Sequence, residues 1–318
     1  MRFHWHDPKR RVGLTLVELI TVLAIIGALI ALLFPAVQRV REVANRTMCA
    51  NNLRQLALAT LNYEQINKSL PPGSKGPMNA DGTFPGLWAD PQNGSHYPWG
   101  HFGWPALLLP YLEEENLFRT INFDQPSYAV SIPEGFTLDR GPAGGGDNRF
   151  AATHMPKVFV CPSAIRVKPA DQFKDYGINC GTGRHAPEQT QQDMDGIAFV
   201  NSHVRLQEIS DGVSNTLLFL EFAHFSTHGS VPEGVGTNQF IWVDHDSQGY
   251  VACAEEDGTP SPPNSTTWGH RGSHSPHPGG VQAIMVDGHM TWLPNAIDYR
   301  VYMALFTRAG NEFVPPDF

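Results

Sequence analysis

The chain has 318 residues, 41% hydrophobic and 17% charged, with 31 acidic against 22 basic side chains and a net charge of −9. That length and apolar content provide for one large or two small domains with a sizeable core. An acidic balance with no lysine/arginine stripe leaves no footprint for a phosphate backbone, so nucleic acid is not an expected partner.

The first thirteen residues are basic: Arg2, Lys9, Arg10 and Arg11 against Asp7 give them +3, so the remainder carries −12. Residues 14–33 then hold one charge, Glu18, and two hydroxyls, Thr15 and Thr21. As a helix this run spans about 30 Å, enough to cross a bilayer. A cationic flank ahead of an apolar run stays cytoplasmic, which sends the body of the protein to the far side. A cleaved secretory signal would have an apolar region of about 7–15 residues followed by a small-residue cleavage site. Here the small residue, Gly13, precedes the run, and Phe34, Pro35, Ala36 and Val37 lead into more helix-patterned sequence, so the apolar segment is expected to be retained. A carboxylate in hydrocarbon costs about 2.5–3.5 kcal/mol and needs a partner. A cut after Gly13 would create an ammonium on Leu14, one turn from Glu18 in its own chain or in a packed neighbour, and would neutralise both charges.

The run GLTLVELITVLAIIGALIALLFPA, residues 13–36, resembles the signature of type IV prepilins and type II secretion pseudopilins. Leucine stands where pilins usually carry phenylalanine. The resemblance implies that a prepilin peptidase removes residues 1–13 and methylates the new amine, with Gly13 before the cut and Leu14 as the mature N-terminus. It also implies that Glu18 sets assembly register and that Pro35 kinks the helix. The partners it implies are the peptidase, the inner membrane before assembly, and other pilin or pseudopilin subunits in a helical filament.

After Pro35 an amphipathic pattern continues through Val37, Val40, Ala44, Met48, Leu53, Leu56, Ala57 and Tyr63. Proline removes one backbone donor, so a kink or a loosened turn is expected there. The helix should run to residue 66 and stop in NKSLPPG, residues 67–73, making a rod of about 80 Å.

Beyond Gly73 short apolar runs alternate with Gly, Pro, Asn and Asp, which reads as β-rich and loop-heavy. Residues 104–118 form a helical piece broken by Pro110, and GPAGGGDN at 141–148 lacks the Gly-Lys-Ser/Thr ending of a phosphate-binding loop. The expected fold is α+β and pilin-like, a long N-terminal helix packed on an antiparallel sheet with a large loop-rich, β-rich domain. Its parts are a leader at 1–13, a helix at 14–66 that is transmembrane over 14–37, and an exported domain at 67–318.

Five further stretches, NNLRQ (51–55), LLPYLE (108–113), CPS (161–163), EISDGVSNTLLFLE (208–221) and HPGGVQAIMVDGHMTWL (277–293), resemble the bacterial family of prepilin-type proteins with an H-X9-DG domain of unknown function. That resemblance implies exported pilin-like architecture and brings no established activity. Physically, residues 281–286 and 289–293 read as a hairpin around Asp287-Gly288, the favoured type I′ turn. His277 lies about 30 Å from Asp287 along a straight strand, so both residues and Gly288 read as structural; a shared His/Asp catalytic site is the alternative and would require Gly279-Gly280 to bend the chain.

His270, His274, His277 and His289 crowd one region, but a Gly/Ser/Pro loop lacks the helix that makes H-E-x-x-H a zinc site, and they read as exposed loop histidines. No G-x-S-x-G elbow occurs. Asp244, Asp246 and Glu255 occupy positions 1, 3 and 12 of an EF-hand-like loop with Gly249 at 6, making calcium the candidate metal beside the plainer reading of a solvated acidic loop. The loop departs at Gln248, and strand-like sequence precedes it. Of four cysteines, Cys161 with Cys180 would close a short loop and Cys49 with Cys161 would clamp the domain to its helical spine; Cys253 adds further pairings, and the scattered spacing argues against metal. The expected function is a non-enzymatic structural subunit. The rival is a membrane-anchored ligand-binding or hydrolytic domain, in which Trp88, Trp99, Trp104, Trp242 and Trp268 could face a carbohydrate-like ligand.

Overall fold

The computed structural model describes residues 15–82, 85, 101–125, 127, 148–152, 154–164, 174–182, 194–223, 250–254, 259–265 and 272–315. Two units are distinguished, Met1–Ala44 and Asn45–Phe318.

A single helix, α1 (Leu16–Asn67), supplies all the described structure of the first unit and enters the second. It is long and apolar enough to cross a membrane. Its apolar side chains in the first unit are exposed, Leu32 by 76% and Val17 by 69%. The helix begins with a capping box: Thr15 N–H donates to Glu18 Oε2 (2.8 Å), and Glu18 N–H donates to Thr15 Oγ1 (3.3 Å). The Thr15 hydroxyl also donates to Glu18 Oε2, at 2.9 Å. Helix continues without a break through Pro35, where only the donor to the Ala31 carbonyl is missing.

In the second unit α1 turns one stripe inward. Cys49, Leu53, Leu56, Ala57, Ala59 and Thr60 are buried, whereas Met48 just before them and Leu58 among them are exposed. The helix stops where Lys68 takes a left-handed φ of +60°, its N–H donating to the Glu64 carbonyl at 2.7 Å. A two-residue ladder pairs β1 (Ser74–Lys75) with β2 (Phe102–Gly103). The helical piece beyond it is broken at Pro110, as expected: α2 (Trp104–Leu108), a 3-10 turn (Leu109–Tyr111) and α3 (Glu115–Phe118). A short α4 (Arg149–Ala152) follows.

Five strands make the main sheet, β3 (Tyr176–Gly181), β4 (Leu217–Glu221), β5 (Tyr250–Ala252), β6 (Gly280–Met285) and β7 (Met290–Pro294), in the order β5-β3-β4-β6-β7. The fold is thus α+β with a long N-terminal helix. Four strands are antiparallel neighbours and β5 joins β3 in parallel, so the sheet is mixed at that edge. Strands β3, β4 and β6 are buried along their whole length, because both sheet faces are covered. On one face Ile178, Phe219 and Ile284 share a core with Leu53, Leu56, Trp104 and Phe159. On the other, Leu220, Val251, Val281 and Met285 pack with Tyr302, Leu305 and Phe306, from α5 (Tyr299–Ala304) and the turn after it.

The β6–β7 hairpin forms at the anticipated place with a different turn. Gly288 N–H donates to the Met285 carbonyl and Met285 N–H to the His289 carbonyl, both at 2.9 Å, and within the loop only Gly288 has positive φ, +89°. This is a three-residue loop with a glycine bulge; a type I′ turn would also require positive φ at Asp287. The Asp-Gly pair at 211–212 ties down the C-terminal segment. The Asp211 carboxylate accepts from Gly310 N (2.7 Å), Asn311 N (2.8 Å) and Thr307 Oγ1 (3.1 Å).

Candidate functional site

Four chain segments of the second unit converge on one buried point. Strands β3 and β4 set Tyr176 opposite Glu221. From Glu221 the backbone bonds onward to the segment before β6: His274 N–H donates to the Glu221 carbonyl (3.1 Å), and Ala223 N–H donates to the His274 carbonyl (2.9 Å). This ladder brings His277 inward until its Nε2 stands 3.1 Å from Glu221 Oε1. Cys161, after the 3-10 turn Lys157–Phe159, is fixed by its N–H donating to Asp175 Oδ2 (2.7 Å), and its Sγ lies 3.8 Å from His277 Nε2. Helix α1 delivers Cys49, disulfide-bonded to Cys161 with the Cα atoms 5.3 Å apart. All four residues are buried, and one ligand atom of each lies within 4.8 Å of the others.

The surroundings hold these groups in place. Glu221 Oε2 accepts from Gln282 N–H at 2.8 Å, and the Gln282 side-chain amide donates to the Arg46 carbonyl of α1 at 2.9 Å. Glu221 Oε1 accepts no aligned hydrogen bond, so the His277 approach is an electrostatic contact at an angle unsuited to one. Asn52 donates to the Tyr176 hydroxyl (3.1 Å) and to the Val160 carbonyl (2.9 Å). Burial pushes the Tyr176 phenol well above its ordinary range against the opposing Asn52 hydrogen bond, and the Glu221 and Asp175 carboxylates add to the push, so it stays neutral. Chemically the cluster offers a covalent cross-link between α1 and the sheet, with an imidazole and a carboxylate against it. With the sulfurs reduced, the same four side chains could hold a metal ion.

The residues singled out from sequence fall in different places. Of the two disulfides weighed, Cys49–Cys161 forms; Cys180 and Cys253 are buried thiols outside it. His277 is buried rather than an exposed loop histidine, because the Glu221–His274 ladder ties its segment to the end of the central strand β4. His277 and Asp287 have separate partners. The Asp287 carboxylate accepts from His289 N–H (3.0 Å) and contacts His289 Nδ1 (2.7 Å). Trp104 is a core residue, its ring 4.7 Å from that of Phe219. Gly13, Leu14, Asp244, Asp246, Glu255, His270, Trp88, Trp99, Trp242 and Trp268 lie outside the described residues. Glu221 was not anticipated, although an acid closing the apolar run LLFLE was visible.

A family model described as a protein of unknown function, DUF1559, matches residues 38–300. The chain belongs to the DUF1559 family. The DUF1559 match takes in all four cluster residues and begins after Pro35, leaving the apolar stretch of α1 outside it. No curated protein and no solved structure matches the chain.

Proposed function

We propose that this DUF1559 chain is an exported, pilin-like structural subunit. A prepilin peptidase processes and N-methylates it at Leu14, and its apolar helix assembles it into a pilus or type II secretion pseudopilus. The observation that carries this reading is the contrast along α1. Its later turns are buried in the domain, while Leu16, Leu19, Leu23, Ile26, Ile30 and Phe34 are all exposed. In the membrane lipid covers such side chains; outside it only neighbouring helices can, at about 1.5–3 kcal/mol for each large side chain buried. Glu18 supports the same reading. Thr15 donates twice to Glu18 Oε2, which leaves Oε1 to meet the Leu14 ammonium of the same or an adjacent subunit. The Cys49–Cys161 disulfide supports an oxidising compartment for the domain.

The test is Glu18→Ala. The variant should insert in the inner membrane normally and disappear from the sheared-filament fraction. Filament incorporation equal to that of the unsubstituted chain would overturn the proposal.

A further inference from the structure

The buried cluster has the donors and the spacing of a metal site that no linear pattern announces. We propose that in its dithiol state the chain binds one zinc ion through Cys49, Cys161, His277 and Glu221, so that the ion and the Cys49–Cys161 disulfide are alternative occupants of one place.

Tetrahedral zinc takes thiolate sulfur at about 2.3 Å and imidazole nitrogen or carboxylate oxygen at about 2.0–2.2 Å, which makes the edges between ligand atoms roughly 3.3–3.8 Å. Two edges already stand close to this, 3.8 Å from Cys161 Sγ to His277 Nε2 and 3.1 Å from His277 Nε2 to Glu221 Oε1. The sulfurs have to part, from the ~2.05 Å of a disulfide to ~3.8 Å, and the remaining pairs of ligand atoms, all within 4.8 Å, have to close onto the ion. A Cα separation of 5.3 Å accommodates either spacing.

The donor set selects the ion. Two thiolates and an imidazole suit zinc and reject calcium or magnesium, which take oxygen ligands. Glu221 Oε1 points to a ligand independently: it is a fully buried carboxylate oxygen that faces the cluster and accepts no aligned hydrogen bond. Its sister oxygen is held by Gln282 N–H, the outer support that a ligating carboxylate requires. With four protein ligands and all of them buried, the site is closed and structural, and it leaves no open position for substrate.

Binding releases one proton from each thiol. A disulfide-bearing exchange oxidant acting on the zinc form would create the Cys49–Cys161 bond and release Zn²⁺. It would itself be reduced to a dithiol, taking up two electrons and two protons. Metal and disulfide thus clamp α1 to the sheet in turn.

The test uses the full chain in detergent, reduced with a phosphine, stripped by a chelator and titrated with Co²⁺ and then Zn²⁺. One cobalt per reduced chain is expected, with a near-ultraviolet thiolate charge-transfer band and the visible bands of tetrahedral cobalt; zinc should bleach both, and the oxidised chain should bind none. His277→Ala and Glu221→Ala should each weaken binding by more than about a hundredfold, beyond what losing an outer-shell partner costs. Cooperative melting of their disulfide forms shows that these variants fold. Three results would overturn the proposal: no stoichiometric cobalt in the reduced unsubstituted chain, equal uptake by the oxidised chain, or persistence of the thiolate band in Cys49→Ser/Cys161→Ser.

Discussion

Replacing Cys49 and Cys161 together by alanine opens a loop that the disulfide closes across 112 residues. In the chain-entropy account such a loop restricts the unfolded ensemble by about 16 cal/mol/K, or about 4.8 kcal/mol at 25 °C. Both sulfurs are buried, so their removal also thins the core. Structure remaining in the unfolded chain works the other way, and removal of a native disulfide typically costs about 2–5 kcal/mol. A loss of about 4 kcal/mol is therefore expected, a large share of a native margin of about 5–15 kcal/mol. The assay is guanidinium unfolding of the full chain in detergent with a chelator present to keep metal out of the cluster. Tryptophan emission, to which the buried Trp104 contributes, follows the transition. Reduction of the unsubstituted chain should move the midpoint as the double substitution does. The reasoning is refuted if bridged and bridgeless chains agree within about 1 kcal/mol, beneath the low end of the range for disulfides. It is equally refuted if the intact mass of the oxidised chain shows no loss of two hydrogens.

Other perturbations have equally definite outcomes. Gly280→Ala would put a Cβ 2.3 Å from the Leu293 carbonyl oxygen and 2.8 Å from the Trp292 ring; an overpacking loss of about 1–3 kcal/mol in the same unfolding assay is expected. Gly288→Ala meets open space but a φ of +89°, so it should cost about 1–2 kcal/mol, and Gly288→Asn less. Burial lowers His101 from 6.5 to about 4, with a hydrogen bond to the Pro77 carbonyl opposing the shift. Between pH 6.5 and about 4 the unfolded chain takes up a proton that the folded chain refuses, so stability falls as pH drops through that window, by about 3 kcal/mol in all. Unfolding free energies of the unsubstituted chain and of His101→Gln across that range check this; a difference between them independent of pH would contradict it.

Much of the fold was legible because local chemistry and tertiary context agree. The apolar run, the Pro-Pro-Gly stop and the broken helical piece at Pro110 all mark elements that form near their expected bounds. The inward stripe of α1 was read less well: Leu53, Leu56 and Ala57 face the core, but Val37, Val40 and Met48 on the same pattern are exposed. The hairpin was visible in its alternating runs, and its turn was misread because Asp-Gly serves a glycine bulge as readily as a type I′ turn. The parallel partner of β3 left no trace in sequence, since β5 reaches it through a long connection.

The site was less legible, for a different reason. Cys49, Cys161, Glu221 and His277 come from four separate stretches, so no spacing rule could gather them. A histidine among Gly, Ser and Pro looks solvated until the backbone ladder to Glu221 buries it. At the N-terminus the signal was present but read for one purpose only. Thr15-x-x-Glu18 is a capping box, and Glu18 has local donors as well as the amine expected of Leu14.

Delivery and assembly through the processed helix are tested most directly at the mature N-terminus. Mass spectrometry of the membrane-extracted chain should find residues 1–13 removed and N-methyl-leucine at Leu14. A chain that retains those residues, or that begins anywhere other than Leu14, would contradict the proposed function.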